Sequence, residues 1–301
     1  MHEKIKERSL ITAVKTPFKA DGAIDLEAYE KFVRRQIKHG VQGLVVGGTT
    51  GEGHLLSWDE HIMLIGFSVN KFGNELLIIG NTGSNNTREA INATEQGFAV
   101  GMHASLQINP YYGKTSKSGL LKHYGKTLDV GPCIIYNVPS RTAQDIEPDI
   151  IEALAEHKNF IGVKECAGNE RIKAYAAKGI SCWSGNDQEC ADAKHKSGAR
   201  GVISVASNFY PAAFREIMDD PNSSVHGRLT AFLEMLYAEP NPIGLNTLLA
   251  MSGLTKPVLR LPYVPLDGAA RNRIREEVLR LNLPETPSSL NLLKDEEFIL
   301  V

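Results

Sequence analysis

Short apolar runs alternate with amphipathic stretches along the first two thirds of the chain. The runs are rich in Val, Ile and Leu, which is typical of strands buried on both faces of a parallel sheet. The eight predicted strands are Leu10–Val14, Gly43–Gly47, Leu76–Gly80, Ala104–Ile108, Cys133–Val138, Phe160–Val163, Ser181–Ser184 and Gly201–Val205.

The stretches between these runs have helical periodicity. In residues 25–39 the apolar positions near helical spacing are Leu26, Tyr29, Phe32, Val33 and Ile37. Asp25 is the predicted N-cap of this helix and Gly40 its C-terminal stop. Eight strand–helix alternations predict an α/β fold, a (β/α)₈ TIM barrel, rather than an open sheet.

Beyond residue 208 the pattern changes to helices without intervening strands. We predict a barrel that carries the active site in residues 1–208, and a C-terminal helical extension with a tail in residues 209–301. We expect the tail, Leu283–Val301, to be either loosely ordered or docked on a partner. The predicted C-terminal helices are Pro211–Met218, Val225–Glu239, Ile243–Ser252 and Gly268–Leu281.

Composition excludes several classes of protein. The chain has 301 residues, 42% of them hydrophobic and 23% charged, with a net charge of −2, which is typical of a globular domain. Neither a basic arm nor an acidic tail is present, so we predict no nucleic-acid partner. No apolar stretch approaches the roughly 20 residues that cross a bilayer, so we predict no membrane partner. The first ten residues lack the apolar core of a secretory signal.

Cysteine and histidine spacing gives no sign of a metal site. The four cysteines match no zinc pattern, and the nine histidines form no HExxH-type cluster. We therefore predict no metal and interpret the cysteines as reduced and structural. The cysteines are Cys133, Cys166, Cys182 and Cys190.

Polar residues follow six of the predicted strands. In a (β/α)₈ barrel the C-terminal ends of the strands meet at one mouth, where active sites form. The sequence therefore predicts a site where these groups converge. They are Gly47–Glu52, Asn81, Asn109–Tyr112, Tyr136–Arg141, Lys164–Glu165 and Gly185–Asp187.

Lys164 is the candidate nucleophile of this site. It follows the apolar run Phe160–Val163, and burial there penalises the charged form of the side chain. The resulting neutral amine can form an imine with an α-keto acid, and the imine can lose a proton to give an enamine. The alternative is a lysine paired with Glu165 or another acid.

Three neighbouring motifs supply the other groups that this chemistry needs. Thr49 and Thr50 offer hydroxyl and backbone donors for a carboxylate in a glycine-rich turn, which is neither a Walker A loop nor GxGxxG. Tyr136 can shuttle protons, and Arg141 offers a fork for a second carboxylate. The alternatives are a plain tight turn, a packed aromatic ring and a surface salt bridge.

These motifs, in this order, resemble the dihydrodipicolinate synthase family, whose members are also called 4-hydroxy-tetrahydrodipicolinate synthases. The resemblance covers roughly residues 9–280, and stretches such as SWDEHIMLIG are similar to the plant and green-algal form. The matching segments are GGTTGEG (47–53), NPYY (109–112), YNVPSRT (136–142), GVKE (162–165) and EPNPI (239–243).

The resemblance implies a lyase of lysine (diaminopimelate) biosynthesis that condenses pyruvate with L-aspartate-4-semialdehyde. It implies that Lys164 forms a Schiff base with pyruvate, without any other cofactor. Thr50, Tyr136 and Tyr112 would relay protons, with Tyr112 reaching into the site of a neighbouring subunit. Arg141 would bind the semialdehyde carboxylate. The other implied substrate-binding residues are Thr49, Gly185, Asn186 and Ile203.

The resemblance also implies a homotetramer, a dimer of dimers, that is inhibited by L-lysine. Glu89 would meet an ammonium, Asn85 an α-amino or carboxylate group, and Trp58 the aliphatic stem. The alternative is that each of these residues is structural. The implied lysine site at the dimer interface comprises Gly53, His54, Trp58, His61, Gly83, Asn85, Glu89 and Tyr111.

Plant and algal members work in the chloroplast stroma after loss of a transit peptide, so we expect that localisation, or the cytoplasm if the chain is bacterial. Ala143 stands where the family usually has glycine, so the local turn is expected to differ. The tail is longer than expected of plant members.

Two other functions compete with the synthase. Another pyruvate-dependent lyase, such as an N-acetylneuraminate lyase or a keto-deoxy-sugar aldolase, shares the lysine and tyrosine, but Thr50 and the segment 140–142 favour the synthase. A non-catalytic barrel that binds lysine is disfavoured, because Lys164, Tyr136 and Arg141 are all present.

Overall fold

The eight predicted strands close into a parallel barrel. A computed structural model describes residues 2–301. Each strand pairs with the next one along the chain, and β8 pairs with β1 to complete the cylinder. The predicted (β/α)₈ fold is confirmed. The barrel strands are β1 Leu10–Ala13, β2 Gly43–Val46, β3 Leu77–Gly80, β4 Ala104–Ile108, β5 Cys133–Asn137, β6 Phe160–Glu165, β7 Cys182–Ser184 and β8 Gly201–Ser204.

Helices surround the barrel and extend the chain beyond it. In the barrel region they are α1 His2–Lys6, α2 Leu26–Lys38, α3 Trp58–Phe72, α4 Thr87–Ala99, α5 Lys117–Val130, α6 Pro139–Thr142, α7 Pro148–Ala155, α8 Asn169–Ala177 and α9 Cys190–Lys196. In the C-terminal region they are α10 Pro211–Asp219, α11 Val225–Arg228, α12 Thr230–Leu236, α13 Ile243–Met251 and α14 Gly268–Leu281. In residues 2–301 no helix has both the length and the apolar character needed to cross a bilayer.

Local signals set the ends of the helices as expected. The Asp25 side chain accepts a hydrogen bond from the backbone N–H of Ala28 at 3.1 Å, which caps α2. Gly40 follows the helix with a φ of 82°. A capping box formed by Ser57 and Glu60 begins α3.

The interior of the barrel is packed with apolar side chains. Ile11, Val45, Ile134 and Trp183 belong to one buried cluster there, and the Trp183 indole donates to the Arg8 carbonyl at 2.7 Å. Because this packing fills the middle of the cylinder, a cavity lined by the strands can open only where the strands end and the loops begin.

The C-terminal region differs from the prediction in three ways. It contains two short strands, β9 Val258–Leu259 and β10 Ile299–Leu300, which pair in parallel. The helix predicted over residues 225–239 is divided at Leu229 into α11 and α12. The tail is not loosely ordered: the backbone N–H of Val301 bonds the Leu259 carbonyl at 3.0 Å, so it docks on its own chain.

The division of the chain at residue 208 stays a prediction. One hydrophobic cluster contains Val14 and Val46 from the barrel together with Phe214 and Leu248 from the C-terminal helices. The two regions therefore share a core.

Candidate active site

A cavity of about 230 Å³ opens at the C-terminal ends of the barrel strands. Side chains from β5, β6 and the turns after β2 and β7 form its wall. Seven of the predicted site residues meet there: Thr49, Thr50, Tyr136, Arg141, Lys164, Gly185 and Asn186.

Lys164 lies within β6 and is only 6% exposed. Burial lowers the pKa of its amine to about 8, an effect that the nearby Arg141 reinforces and Asp187 opposes. The neighbouring Glu165 instead accepts from Asn137 Nδ2 and from the Ala167 N–H, both at 2.8 Å. Among residues 2–301 no acid forms a salt bridge with Lys164, so the alternative of a paired lysine is wrong. The amine is therefore available as a nucleophile.

Tyr136 lies beside the amine on the neighbouring strand. The register of β5 and β6 pairs Tyr136 directly with Lys164. This pairing brings Lys164 Nζ to 4.3 Å from the centroid of the phenol ring. Burial raises the pKa of Tyr136, so the phenol is neutral and can donate its proton.

The turn that carries the two threonines is held tightly. Gly47 has a φ of 67°, and a Cβ there would lie 1.9 Å from the imidazole of His61. Across the turn, the Gly53 N–H bonds the Gly48 carbonyl at 3.1 Å. Asn241 Nδ2 donates to Thr50 Oγ1 at 3.1 Å, so the Thr50 hydroxyl keeps its own hydrogen to donate elsewhere.

Arg141 lies on α6, which begins at Pro139. Its side chain is exposed, and among residues 2–301 no carboxylate forms a salt bridge with it. The alternative of a surface salt bridge is therefore wrong, and the guanidinium is free to take an incoming anion. Ala143 follows the last helical residue, Thr142, and has a φ of 57°, the left-handed conformation that glycine adopts at less cost.

A second cavity of about 470 Å³ lies beside the first and shares part of its wall. Gly48, Thr49, Asn81, Ile108 and Arg141 line both cavities. Seven of the eight residues predicted for the lysine site line this second cavity: Gly53, His54, Trp58, His61, Gly83, Glu89 and Tyr111.

Aromatic and imidazole rings dominate the second cavity. The Trp58 indole stacks on His61 with centroids 5.3 Å apart and planes at 20°. Burial lowers the pKa of His61 to about 4, so this ring is neutral at physiological pH. The Tyr263 hydroxyl lies 2.9 Å from His54 Nε2, and Glu89 accepts from a serine hydroxyl. The carboxylate of Glu89 is the negative charge at this end of the cavity.

Comparison with known proteins agrees with this arrangement. A family model described as "Dihydrodipicolinate synthetase family" matches residues 6–280. The chain belongs to this family.

The relatives extend the match to nearly the whole chain. A chloroplastic 4-hydroxy-tetrahydrodipicolinate synthase 1 of Triticum aestivum is 56% identical over 301 residues, covering 99% of this chain and 77% of that protein. A chloride-inhibited dihydrodipicolinate synthase from Acinetobacter baumannii, complexed with pyruvate, superposes with a TM-score of 0.87 at 32% identity, covering 91% and 98% of the two chains. The dihydrodipicolinate synthase from Cyanidioschyzon merolae with lysine bound gives a TM-score of 0.86 at 28% identity, covering 92% and 99%.

These matches confirm the predicted enzyme class. The plant type and the activity, a 4-hydroxy-tetrahydrodipicolinate synthase, agree with the names of relatives from several plants. The expected chloroplast localisation agrees with the same names. The sugar-acid lyases and the non-catalytic barrel are not favoured.

Three predicted residues lie outside the two cavities. Tyr112 is 95% exposed with a φ of 71°, and Ile203 is fully buried in β8. Asn85 is exposed, and its Nδ2 donates to the Tyr111 carbonyl at 3.2 Å. Asn85 is therefore linked to the second cavity through the backbone of Tyr111, which lines it.

Several cavity residues were missed by sequence reasoning. Gln188, Tyr237 and Asn241 line the first cavity and Tyr263 the second. Cys166, interpreted from sequence as buried and structural, is half-buried and lines the first cavity, because it follows Lys164 where β6 opens into the mouth. Asn241 stands inside the recognised EPNPI segment, which was the one available signal.

No group of three or more His, Cys, Asp or Glu side chains in residues 2–301 is placed to hold a metal ion. The predicted absence of metal and organic cofactor stays a prediction.

Proposed function

We propose that this chain condenses pyruvate with L-aspartate-4-semialdehyde through a Schiff base on Lys164. The observation that carries the proposal is a buried amine, with its pKa lowered to about 8, held 4.3 Å from the centroid of the Tyr136 ring in a small cavity. The names of the relatives and the pyruvate bound to the Acinetobacter baumannii protein support it.

The reaction follows from the chemistry of the amine. Neutral Lys164 attacks the keto carbon of pyruvate, and the oxygen leaves as water to give a protonated imine. The imine draws electrons from the adjacent methyl, which loses a proton and becomes an enamine. The enamine carbon attacks the aldehyde carbon of the second substrate. The amino group of that substrate then attacks the imine carbon, closes the ring and releases free Lys164.

Protons in these steps pass along Thr50, Tyr136 and Tyr112. Thr50 accepts from Asn241 and so has its hydroxyl hydrogen free for the relay. Tyr112 projects from the surface with 95% exposure, in a backbone conformation unusual for tyrosine. Both facts support the proposal that Tyr112 completes the site of a neighbouring subunit.

Substrate carboxylates are held by two different kinds of group. Thr49 and Thr50 bind the pyruvate carboxylate, and Arg141 binds that of the semialdehyde as a charge-assisted fork. The absence of a salt bridge to Arg141 among residues 2–301 supports this role. The other substrate contacts that we propose are Gly185, Asn186 and the Ile203 carbonyl.

L-Lysine inhibits the reaction by binding in the second cavity. Glu89 supplies a carboxylate for an ammonium group, and Trp58 supplies an apolar surface for the stem of the ligand. Thr49 and Arg141 line both cavities, so occupancy of one changes the wall of the other. The lysine bound to the Cyanidioschyzon merolae protein supports this assignment.

The working assembly is a homotetramer built as a dimer of dimers in the chloroplast stroma. A borrowed Tyr112 would make the dimer the smallest catalytic unit. No cofactor is needed beyond the covalent pyruvate on Lys164.

The test is the initial rate with pyruvate and L-aspartate-4-semialdehyde, coupled to dihydrodipicolinate reductase, across a titration of L-lysine. Borohydride trapping with pyruvate, followed by peptide mass spectrometry, identifies the modified residue. Turnover that lysine suppresses, with the adduct on Lys164, supports the whole proposal. Turnover indifferent to lysine removes the regulatory part, and an adduct elsewhere removes the nucleophile.

A further inference from the structure

A buried ion pair lies behind the threonine turn, outside the cavity that holds the reaction. The Lys15 ammonium is paired with the Glu52 carboxylate, with side chains 2% and 0% exposed. Asn246 Nδ2, on α13, donates to Glu52 Oε1 at 2.8 Å. The cluster of Lys15, Glu52 and Asn246 therefore joins three separate parts of the chain.

The stability of the fold does not explain why such a cluster is present. Two charges taken out of water lose their hydration, and apolar side chains of the same volume often stabilise a core equally well. Burial lowers the pKa of Lys15, and the attraction of Glu52 opposes that effect. The explanation must come from what the cluster holds in place.

The cluster holds the turn that presents Thr49 and Thr50. Glu52 is in the left-handed conformation with a φ of 56°, and its N–H bonds the Thr49 carbonyl at 3.0 Å. On the other side, Thr16 Oγ1 donates to the Gly51 carbonyl at 2.7 Å. Glu52 is thus bonded directly to the backbone that sets the position of Thr49 and Thr50.

Both partners of Glu52 are also held by parts of the fold outside the turn. The Lys15 N–H bonds Asn208 Oδ1 at 3.0 Å, which ties the end of β1 to the loop after β8. Asn246 lies in α13, a helix with all nine residues buried except Ile243. The Glu52 carboxylate is therefore bound by two groups that are anchored outside the turn.

We propose that Lys15, Glu52 and Asn246 are positioning residues for the condensation, which hold the turn so that Thr49 and Thr50 face the Lys164 amine. The inference rests on the proposed roles of those threonines. Shifting a reacting group by about 1 Å costs on the order of 10²-fold in rate. Loss of the contacts to the Glu52 carboxylate should therefore lower the rate, although every group that touches substrate is still present.

The test combines Glu52→Gln with Thr50→Val in a double-mutant cycle. The readouts are kcat/KM for pyruvate and the rate of borohydride-trappable imine formation at saturating pyruvate. We expect Glu52→Gln to lower both by about 10- to 100-fold in the wild-type background. In the Thr50→Val background the same change should cost less than about threefold, because effects that act through one group are not additive.

Two further variants keep the test decisive. Asn246→Ala removes one hydrogen bond and leaves the ion pair, so it should fold and lower kcat/KM severalfold even if Glu52→Gln does not fold. Glu277→Gln is the matched control: it makes the same chemical change in an acid that is 7% exposed and paired with Arg280 on α14, far along the chain from the turn. It should leave both rates unchanged.

Each outcome has one meaning. The positioning role would be overturned if Glu52→Gln lowered the rates equally in the two Thr50 backgrounds, or if Glu52→Gln and Asn246→Ala both had wild-type rates. In either case, trapping of pyruvate on Lys164 in the wild type would still support the proposed function. If wild-type protein traps no pyruvate on Lys164, the proposed function fails, and the positioning role falls with it.

Discussion

The two neighbouring cavities differ in where their side chains come from. The smaller one takes Lys164 and Tyr136 from adjacent barrel strands, whereas the larger one takes Trp58 and His61 from α3 and Glu89 from α4. Strands in a closed barrel hold side chains in fixed register, which suits bond formation. Side chains carried by helices and loops suit a ligand that must bind and leave.

The cavities also differ in how burial acts on their titratable groups. Burial lowers the pKa of Lys164 to about 8, which makes an amine reactive, and that of His61 to about 4, which keeps a ring neutral. The same physical effect therefore favours an uncharged amine in one cavity and an uncharged stacking partner for Trp58 in the other.

Removal of the Lys164 amine should have the largest effect, because it should abolish turnover in the first cavity and leave L-lysine binding in the second. Lys164→Ala should lower kcat by at least about 10³-fold and abolish borohydride trapping, because the covalent route is lost. Calorimetric binding of L-lysine should persist. Lys178→Ala, at an exposed lysine paired with Glu152, is the control with normal turnover. An adduct that survives in Lys164→Ala would refute the nucleophile.

Tyr111 and Tyr112 are adjacent in the chain but should affect different functions. Tyr112→Phe should lower kcat by about 10²-fold, because a proton-transfer group is lost, while half-inhibition by L-lysine stays at the same concentration. Tyr111→Ala should do the reverse, since Tyr111 lines only the second cavity. Steady-state rates across a lysine titration check both. A Tyr112→Phe enzyme with wild-type kcat would remove it from the relay.

One charge change should weaken inhibition by L-lysine and leave turnover intact. Glu89→Gln should raise the L-lysine concentration for half-inhibition by about tenfold or more, because a charge-assisted hydrogen bond is worth about 1.5–3 kcal/mol. The value of kcat without lysine should stay within about twofold. Inhibition curves for wild type and variant provide the measurement, and unchanged inhibition would place the ammonium elsewhere.

The pH dependence of imine formation should follow the Lys164 amine. Below its pKa of about 8 the amine is protonated and cannot attack, so the rate should fall about tenfold per pH unit on the acid side and level off above that pKa. Arg141 contributes to lowering this pKa, so Arg141→Leu should move the limb to higher pH. Stopped-flow trapping at a series of pH values measures the acid limb of the rate profile. A shift of that limb to lower pH in Arg141→Leu would contradict the prediction.

The smallest effect concerns the loop that carries Arg141. Ala143 adopts a left-handed conformation, which costs a residue with a Cβ about 1 kcal/mol, so Ala143→Gly should raise the free energy of unfolding by about 0.5–1 kcal/mol. Urea denaturation measures it. A loss of stability instead would mean that the flexibility of glycine in the unfolded chain outweighs the relief of strain.

Much of the reaction cavity was predictable, because barrel topology turns sequence position into spatial position. Lys164, Tyr136 and Arg141 stand at or just after strand ends, and the strand ends of a closed barrel meet. Asn241 and Tyr237 do not follow a barrel strand, since they come from the C-terminal helical region. The packing of that region onto the mouth of the barrel depends on the shared core. The paired tail also escaped prediction, because β9 and β10 are too short to produce a pattern.

The sequence by itself determined the strand–helix order, the caps of α2 and the place of Lys164 near the end of a buried strand. These depend on local periodicity and on neighbours within a few residues. Only the tertiary structure decided that Glu165 bonds Asn137 rather than Lys164, that one wall serves two cavities, and that Lys15 meets Glu52 behind the threonine turn. Such contacts join residues far apart in the chain, and their geometry exists only once the barrel has closed.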